Sequence, residues 1–174
     1  MWVWNPANTP KCQPEVPGSG YPDQMGELRL EELSARNIVA ANNLSLKPGQ
    51  EQFIAPVSYS VAASTTNPAT SWQRVVLLDG EVAGFIHGNF DPESDHDEFR
   101  ACIWRINVDA AAQGQGVGKF AADSLAEEAR SRGFKQITVI WESGEEGPEA
   151  FFHRLGFTDT GQTPYGEVIG ALQL

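Results

Sequence analysis

The sequence predicts an α/β (α+β) domain, a mixed, twisted β-sheet flanked by helices, and three stretches carry that prediction. First, 101–108 is an apolar run with recurring Ile and Val, which reads as a strand. It leads through a glycine-rich turn into a helix over about 117–132. Second, 74–78 and 81–87 flank Asp79-Gly80, the dipeptide that favours a two-residue type I′ hairpin. Third, 136–141 is a β-branched run without polar alternation, as expected of a strand buried on both faces. A strand–helix–strand unit beside a hairpin calls for parallel and antiparallel pairing within one sheet.

Taken in order, residues 1–25 hold Pro6, Pro10, Pro14, Pro17 and Pro22 with Gly18 and Gly20 and show no periodicity. They read as an N-terminal extension ahead of a folded unit at 26–174, with Trp2 and Trp4 as its candidate anchors. Residues 27–31 alternate as a first strand. Ser34 is placed to cap a helix over 35–42, with Ile38 and Val39 turned inward. Gln50 to Ile54 lead into a second helix over about 55–65, which Asn67-Pro68 ends. After the hairpin comes an acidic loop, 91–98, with five carboxylates. A strand over 99–108 follows. In the long helix Val117, Ala121, Leu125 and Ala129 recur every four residues as a buried stripe, which Phe120 and Ala122 widen. Glu127 with Arg130 and Glu128 with Arg132 make opposite-charge pairs on its exposed side, and Gly133 supplies the residue that ends it. Pro148 suits the first turn of a short helix ending near Leu155. Gly156-Phe157 begins the return to a last strand over 167–172. The order is β-α-α-β-β-β-α-β-α-β.

A chain of 174 residues with 41% apolar and 20% charged content is long enough for one domain with its own core. No run of 18 apolar residues exists, so no membrane span is expected. The first residues lack the basic region and apolar core of a secretory signal. Cys12 and Cys102 are too few for a disulfide framework or a zinc site, which suits a cytoplasmic location. The net charge of −11 argues against nucleic acid, which needs a basic face. It suits a cationic small molecule such as an amine, although acidity for solubility alone is the commoner cause.

Gly114, Gly116 and Gly118 alternate at the start of the long helix. Glycines there allow positive φ and turn several N–H groups outward, where the helix dipole favours a phosphate or pyrophosphate. The Walker pattern fails because Phe120 follows Gly118-Lys119 and offers no hydroxyl for magnesium. The Rossmann pattern fails because no two-residue gap precedes the third glycine. The pattern Gln-x-x-Gly-x-Gly is met by Gln113, Gly116 and Gly118.

Between a strand ending at Val108 and a long helix, this pattern resembles the coenzyme A pyrophosphate loop of the GNAT N-acetyltransferases, and the element order extends the resemblance over 26–174. Gln52-Phe53-Ile54, Ile103-Trp104-Arg105, Leu155-Gly156-Phe157, Thr160-Gly161 and Gly166-Glu167 look most like the bacterial branch related to spermine/spermidine acetyltransferases. The resemblance implies acetyl-CoA as co-substrate, no metal, and a homodimer as a common assembly. It implies that Ile106, Asn107 and Val108 grip the pantetheine arm with free backbone groups. The pyrophosphate would lie on the N–H groups of Gln113, Gly114, Gln115, Gly116, Val117 and Gly118, with Lys119 adding charge.

The family's thiolate acid is a tyrosine, and here Phe152 stands in its place beside the cofactor; it has no proton to give. Tyr165 is a substitute, although an exposed loop tyrosine is the plainer expectation. Glu167, on the last strand, is the candidate base or amine anchor. Trp104 holds the position of a glutamate base in related enzymes and is expected to pack against substrate, with Arg105 facing the other side of the sheet. Glu98 is a further candidate to meet the substrate, with Asp97 weaker. His87 reads as structural and Cys102 as core. The implied function is direct acetylation of a primary amine, with a polyamine favoured. Alternatives are protein amines, amino-sugar antibiotics, or a degenerate domain that binds acyl-CoA as a sensor or scaffold.

Overall fold

The computed structural model describes residues 26–174; the extension at 1–25, with Trp2, Trp4 and Cys12, lies outside the described residues. Seven strands form one sheet: β1 (Leu28–Glu32), β2 (Ser71–Leu78), β3 (Glu81–Phe90), β4 (Ala101–Val108), β5 (Gln136–Trp141), β6 (Thr158–Gln162) and β7 (Val168–Gln173). Their spatial order is β1-β2-β3-β4-β5-β7-β6. The β4–β5 pair is parallel, and every other neighbouring pair is antiparallel. The β2–β3 turn has φ of 52° at Asp79 and 87° at Gly80, the two positive values a type I′ hairpin needs.

β6 adds a strand to the expected order. Its sequence, Thr-Asp-Thr-Gly-Gln, is exposed at every position, so no apolar alternation marks it. It is an edge strand held by backbone pairing to β7.

Helix α4 (Val117–Ser131) covers one face, burying Val117, Ala121, Ala122, Leu125, Ala126 and Ala129 as its sequence predicts. The two expected surface pairs form, Arg130 Nη1 to Glu127 Oε2 at 3.2 Å and Arg132 Nε to Glu128 Oε1 at 2.8 Å. Each contributes at most about 0.5 kcal/mol at such exposure. Apolar burial by the stripe therefore fixes the helix to the sheet. Helices α1 (Ile38–Asn42) and α2 (Val57–Thr66) cover the opposite face around Ala41, Val57, Val75, Leu77 and Phe85.

α1 begins later than the sequence suggests. The Ser34 carbonyl accepts from the Ile38 N–H, its hydroxyl accepts from the Arg36 N–H at 3.3 Å, and the side chain of Asn37 accepts from the Ser34 N–H at 2.8 Å. Ala41 is the inward residue, and Val39 is exposed. A single turn, α3 (Asp97–Arg100), closes the acidic loop, and α5 (Glu149–Arg154) follows Pro148. No helix among the described residues is long and apolar enough to cross a membrane.

β4 carries the two irregularities that make the site. It registers with β5 only at Cys102↔Thr138 and Ile103↔Val139, so the strands part from Trp104 onward. Against β3, Arg105 opposes His87 and Ile103 opposes Gly88, leaving Trp104 as the extra residue of a bulge.

His87 is structural, as its sequence position suggests. It is 4% exposed, and its Nε2 lies 2.9 Å from Ser71 Oγ. Burial, with the nearby Arg105 charge second, lowers its pKa from 6.5 to about 4. Between those two values the unfolded chain binds the proton and the folded chain does not. Stability is therefore kept above pH 6.5 and falls as pH drops toward 4, by about 3 kcal/mol. Urea melts across that range should show the loss, and His87→Gln should flatten the curve.

Candidate active site

Where β4 leaves β5, two adjoining cavities open that share Phe53, Ile54, Ile106 and Pro148 in their walls. The first, about 300 Å³, lies against the start of α4 and includes Val108, Gln113, Gly114, Gly118, Phe151 and Arg154. The second, about 380 Å³, is bounded by Glu51, Trp104, Arg105, Val139, Trp141 and Phe152. Parting the strands frees one backbone edge of β4 at the place where an extended ligand arm would otherwise compete with sheet pairing.

The glycine loop is clamped from below. Asp109 Oδ2 accepts from the Ser45 N–H and hydroxyl, both at 3.0 Å, and its Oδ1 accepts from the Ala111 N–H at 3.0 Å. The Ser45 amide, ahead of the Ala111 amide and the Ser45 hydroxyl, holds the Asp109 carboxyl below the usual range despite the opposing effect of burial. Gln113 and Gln50 exchange side-chain hydrogen bonds at 2.7 and 3.2 Å, and Gln113 Nε2 also donates to the Val108 carbonyl at 3.1 Å. The Gln113 side chain thus ties the loop to the turn before α2. Gln115 donates to the Ala111 carbonyl at 2.8 Å, Val117 is buried, and Lys119 pairs with Asp123.

These side chains are committed within the protein, so the loop presents backbone. Gly114 and Gly116 have φ of 87° and 84°. Among the described residues the N–H groups of Gly114, Gly116, Val117, Gly118 and Lys119 meet no acceptor. Five free amides at the positive end of a 15-residue helix fit a diphosphate. A Cβ on Gly118 would stand 3.0 Å from the Phe151 ring, so the third glycine serves the close approach of α5 to α4.

Sequence reasoning missed Arg154. Its place in the last turn of α5, one residue before Leu155-Gly156-Phe157, was the signal. It lines the first cavity with Gly114 and Gly118 and enters no ion pair among the described residues. Arg154→Glu should raise the KM for acetyl-CoA roughly ten-fold at low ionic strength, with the gap narrowing as salt screens the charge. Initial rates in low and high salt measure it.

Trp104, 47% exposed, and Arg105 both line the second cavity. Arg105 Nη1 donates to Ser60 Oγ at 2.8 Å and to the Pro56 carbonyl at 3.4 Å. Trp141 is 3% exposed, stacks on Phe152 at 5.4 Å, and leaves its buried Nε1 without a partner among the described residues. Phe152, equally buried, forms wall and offers no proton. Cys102 is a core residue whose thiol burial pushes up to about 12, so it is no nucleophile.

The other expected site residues are scattered. Ile106 lines both cavities and Val108 the first, while Asn107 turns to the α2 side and donates to the Ala55 carbonyl at 3.3 Å. Glu98 lines neither cavity; its carbonyl accepts from Thr138 Oγ1 at 2.6 Å. Tyr165 is 91% exposed and also lines neither. Glu167 accepts from Thr163 Oγ1 at 2.9 Å, in the turn before β7 and away from both cavity walls. Glu149, His153 and Asp159 group ligand-type atoms within 4.8 Å of one another, outside both cavities.

Residues 39–157 match the model of the acetyltransferase (GNAT) family, and the chain belongs to that family of N-acetyltransferase enzymes. Solved structures agree on the fold. The ribosomal-protein-S18-alanine N-acetyltransferase of Escherichia coli is similar over 84% of this chain and 94% of its own, at 22% identity and a TM-score of 0.61. An acetyltransferase from Thermus thermophilus covers 84% of this chain and 97% of its own, at 16% identity and a TM-score of 0.68. A third, the PaiA N-acetyltransferase of Thermoplasma acidophilum in complex with coenzyme A, is 12% identical, with a TM-score of 0.59 over 85% of this chain and 99% of its own.

Proposed function

We propose that this chain transfers the acetyl group of acetyl-CoA to a primary amine bound in the second cavity. The observation that carries this is the adjacency of the two cavities, which share four wall residues at the parted strands, with a phosphate-type amide cradle at one end and an aromatic chamber at the other. Acetyl-CoA supplies an activated thioester. The free amides of Gly114 to Lys119 and Arg154 hold its phosphates, and Ile106 and Val108 wall its arm. The N–C bond forms as the C–S bond breaks. The amine proton leaves through water, and the CoA thiolate is protonated from solvent, because Phe152 has no proton to donate.

Glu51 is the carboxylate in the second cavity wall, and we assign it the reception of the amine proton through water. Glu167 and Tyr165 enter this proposal only as groups that a movement of the 163–166 turn would bring inward. Glu51→Gln should lower kcat roughly a hundred-fold, and Glu167→Gln should leave it within a few-fold; the reverse order restores Glu167.

The acidity of the chain and the branch motifs support a polyamine as acceptor, while no residue lining the second cavity other than Glu51 adds to that support. Phe152 favours a second reading, an acyl-CoA sensor without turnover. Thiol release from acetyl-CoA, measured with and without a panel of amines, separates the two. Amine-dependent release supports the transferase; thermal stabilisation by acetyl-CoA with no release across the panel supports the sensor.

A further inference from the structure

Arg105 lines the second cavity, and no carboxylate among the described residues pairs with it. Its guanidinium contacts are neutral oxygens, Ser60 Oγ and the Pro56 carbonyl, and it enters no ion pair among the described residues. The chain has 23 acidic residues against 12 basic ones, so a counter-ion was readily available, yet among the described residues none pairs with this guanidinium. A partly buried charge left in that state is costly unless a ligand compensates it. Burial lowers its pKa, which is the same cost seen from the protonation side.

We propose that the acceptor amine carries a carboxylate and that Arg105 selects it, an inference that rests on the acetyl-transfer reading above. The guanidinium fork matches a carboxylate in shape and charge. Trp141 borders the same cavity and adds to its apolar wall. Phe53, Trp104 and Phe152 supply apolar walls for the carbon frame. Glu51 lines the same space, so an amino acid meets an opposite charge for each of its ends. A polyamine, all ammonium, would bring its charges against Arg105. The overall charge of −11 does not decide the matter, because exposed charges beyond about 8 Å are screened at physiological salt while the cavity wall is not.

Matched acceptors that differ only by the carboxylate test this: lysine against cadaverine, arginine against agmatine, phenylalanine against phenylethylamine, with spermidine alongside. The carboxylate member should be preferred by roughly ten-fold or more in kcat/KM, chiefly through KM. Arg105→Gln should collapse that preference, and Arg105→Lys should restore part of it. Intrinsic amine basicity differs within each pair but is common to both proteins, so it cancels when their preferences are compared. A preference unchanged in Arg105→Gln, or spermidine and cadaverine favoured by the native chain, overturns the proposal and leaves the transferase standing. If no amine releases thiol, the transferase reading fails, and binding decides: lysine must raise the melting temperature of the CoA-loaded native protein where cadaverine does not, and equal shifts overturn the proposal.

Discussion

Gly116→Val should raise the KM for acetyl-CoA roughly ten- to hundred-fold, the loss expected when one or two charge-assisted hydrogen bonds are misaligned. Gly116 sits immediately before α4 with φ of 84°, where its own N–H and those of the first helical turn share one free face. A β-branched residue is an outlier at such φ. Valine must either hold the left-handed angle, at a cost of about 1–2 kcal/mol or more, or relax and rotate the peptide planes on either side. Space is not the obstacle, because a Cβ there meets only Leu28 Cδ1, at 3.8 Å. Gly133 provides the control: its φ is 87°, a Cβ there meets nothing within 4 Å, and it lies past the far end of α4. Gly133→Val should lower the melting temperature by a similar strain and leave the KM for acetyl-CoA alone. If both variants shift KM equally, the loop amides do not hold the phosphates. The measurement is steady-state kinetics on both variants beside their thermal melts.

What could be read from the sequence was whatever has a period or a dihedral requirement. The stripe from Val117 to Ala129, the Asp79-Gly80 turn and the β5 run each state their own conformation, and the structure has all three. β6 was not legible because an exposed edge strand needs no apolar pattern. The glycine loop was legible as a loop, but the destination of Gln113 was not. It depends on Gln50, a contact that spans 63 residues of chain. The bulge at Trp104 was equally hidden, since a local register shift leaves no mark in composition. Fold and glycine loop follow from local rules. The second cavity is assembled from β4, β5, α5 and the stretch before α2, and only their meeting defines it.

Trp141→Ala should cost about 3–5 kcal/mol, as for other large buried aromatics, and lower the melting temperature by roughly 10 °C for a chain of this size. The indole stacks on Phe152 with an interplanar angle of 20° and meets the edge of His153 at 5.7 Å. Its far edge fits over Gly170 of β7, where an added Cβ would lie 2.3 Å from Cζ3. Gly170→Ala alone is therefore an overpacking change worth about 1–3 kcal/mol. In the Trp141→Ala background that clash is gone and the new methyl fills part of the void, so the double variant should be more stable than the sum of the singles by at least about 1 kcal/mol. Trp141→Phe should cost about 1 kcal/mol, because the lost Nε1–H has no partner among the described residues to orphan. Chemical denaturation of the four proteins closes the cycle; additive losses would show that Trp141 and Gly170 do not share this contact. Truncating Trp141 also removes one wall of the second cavity without touching the glycine loop, so acceptor KM should rise while acetyl-CoA KM holds.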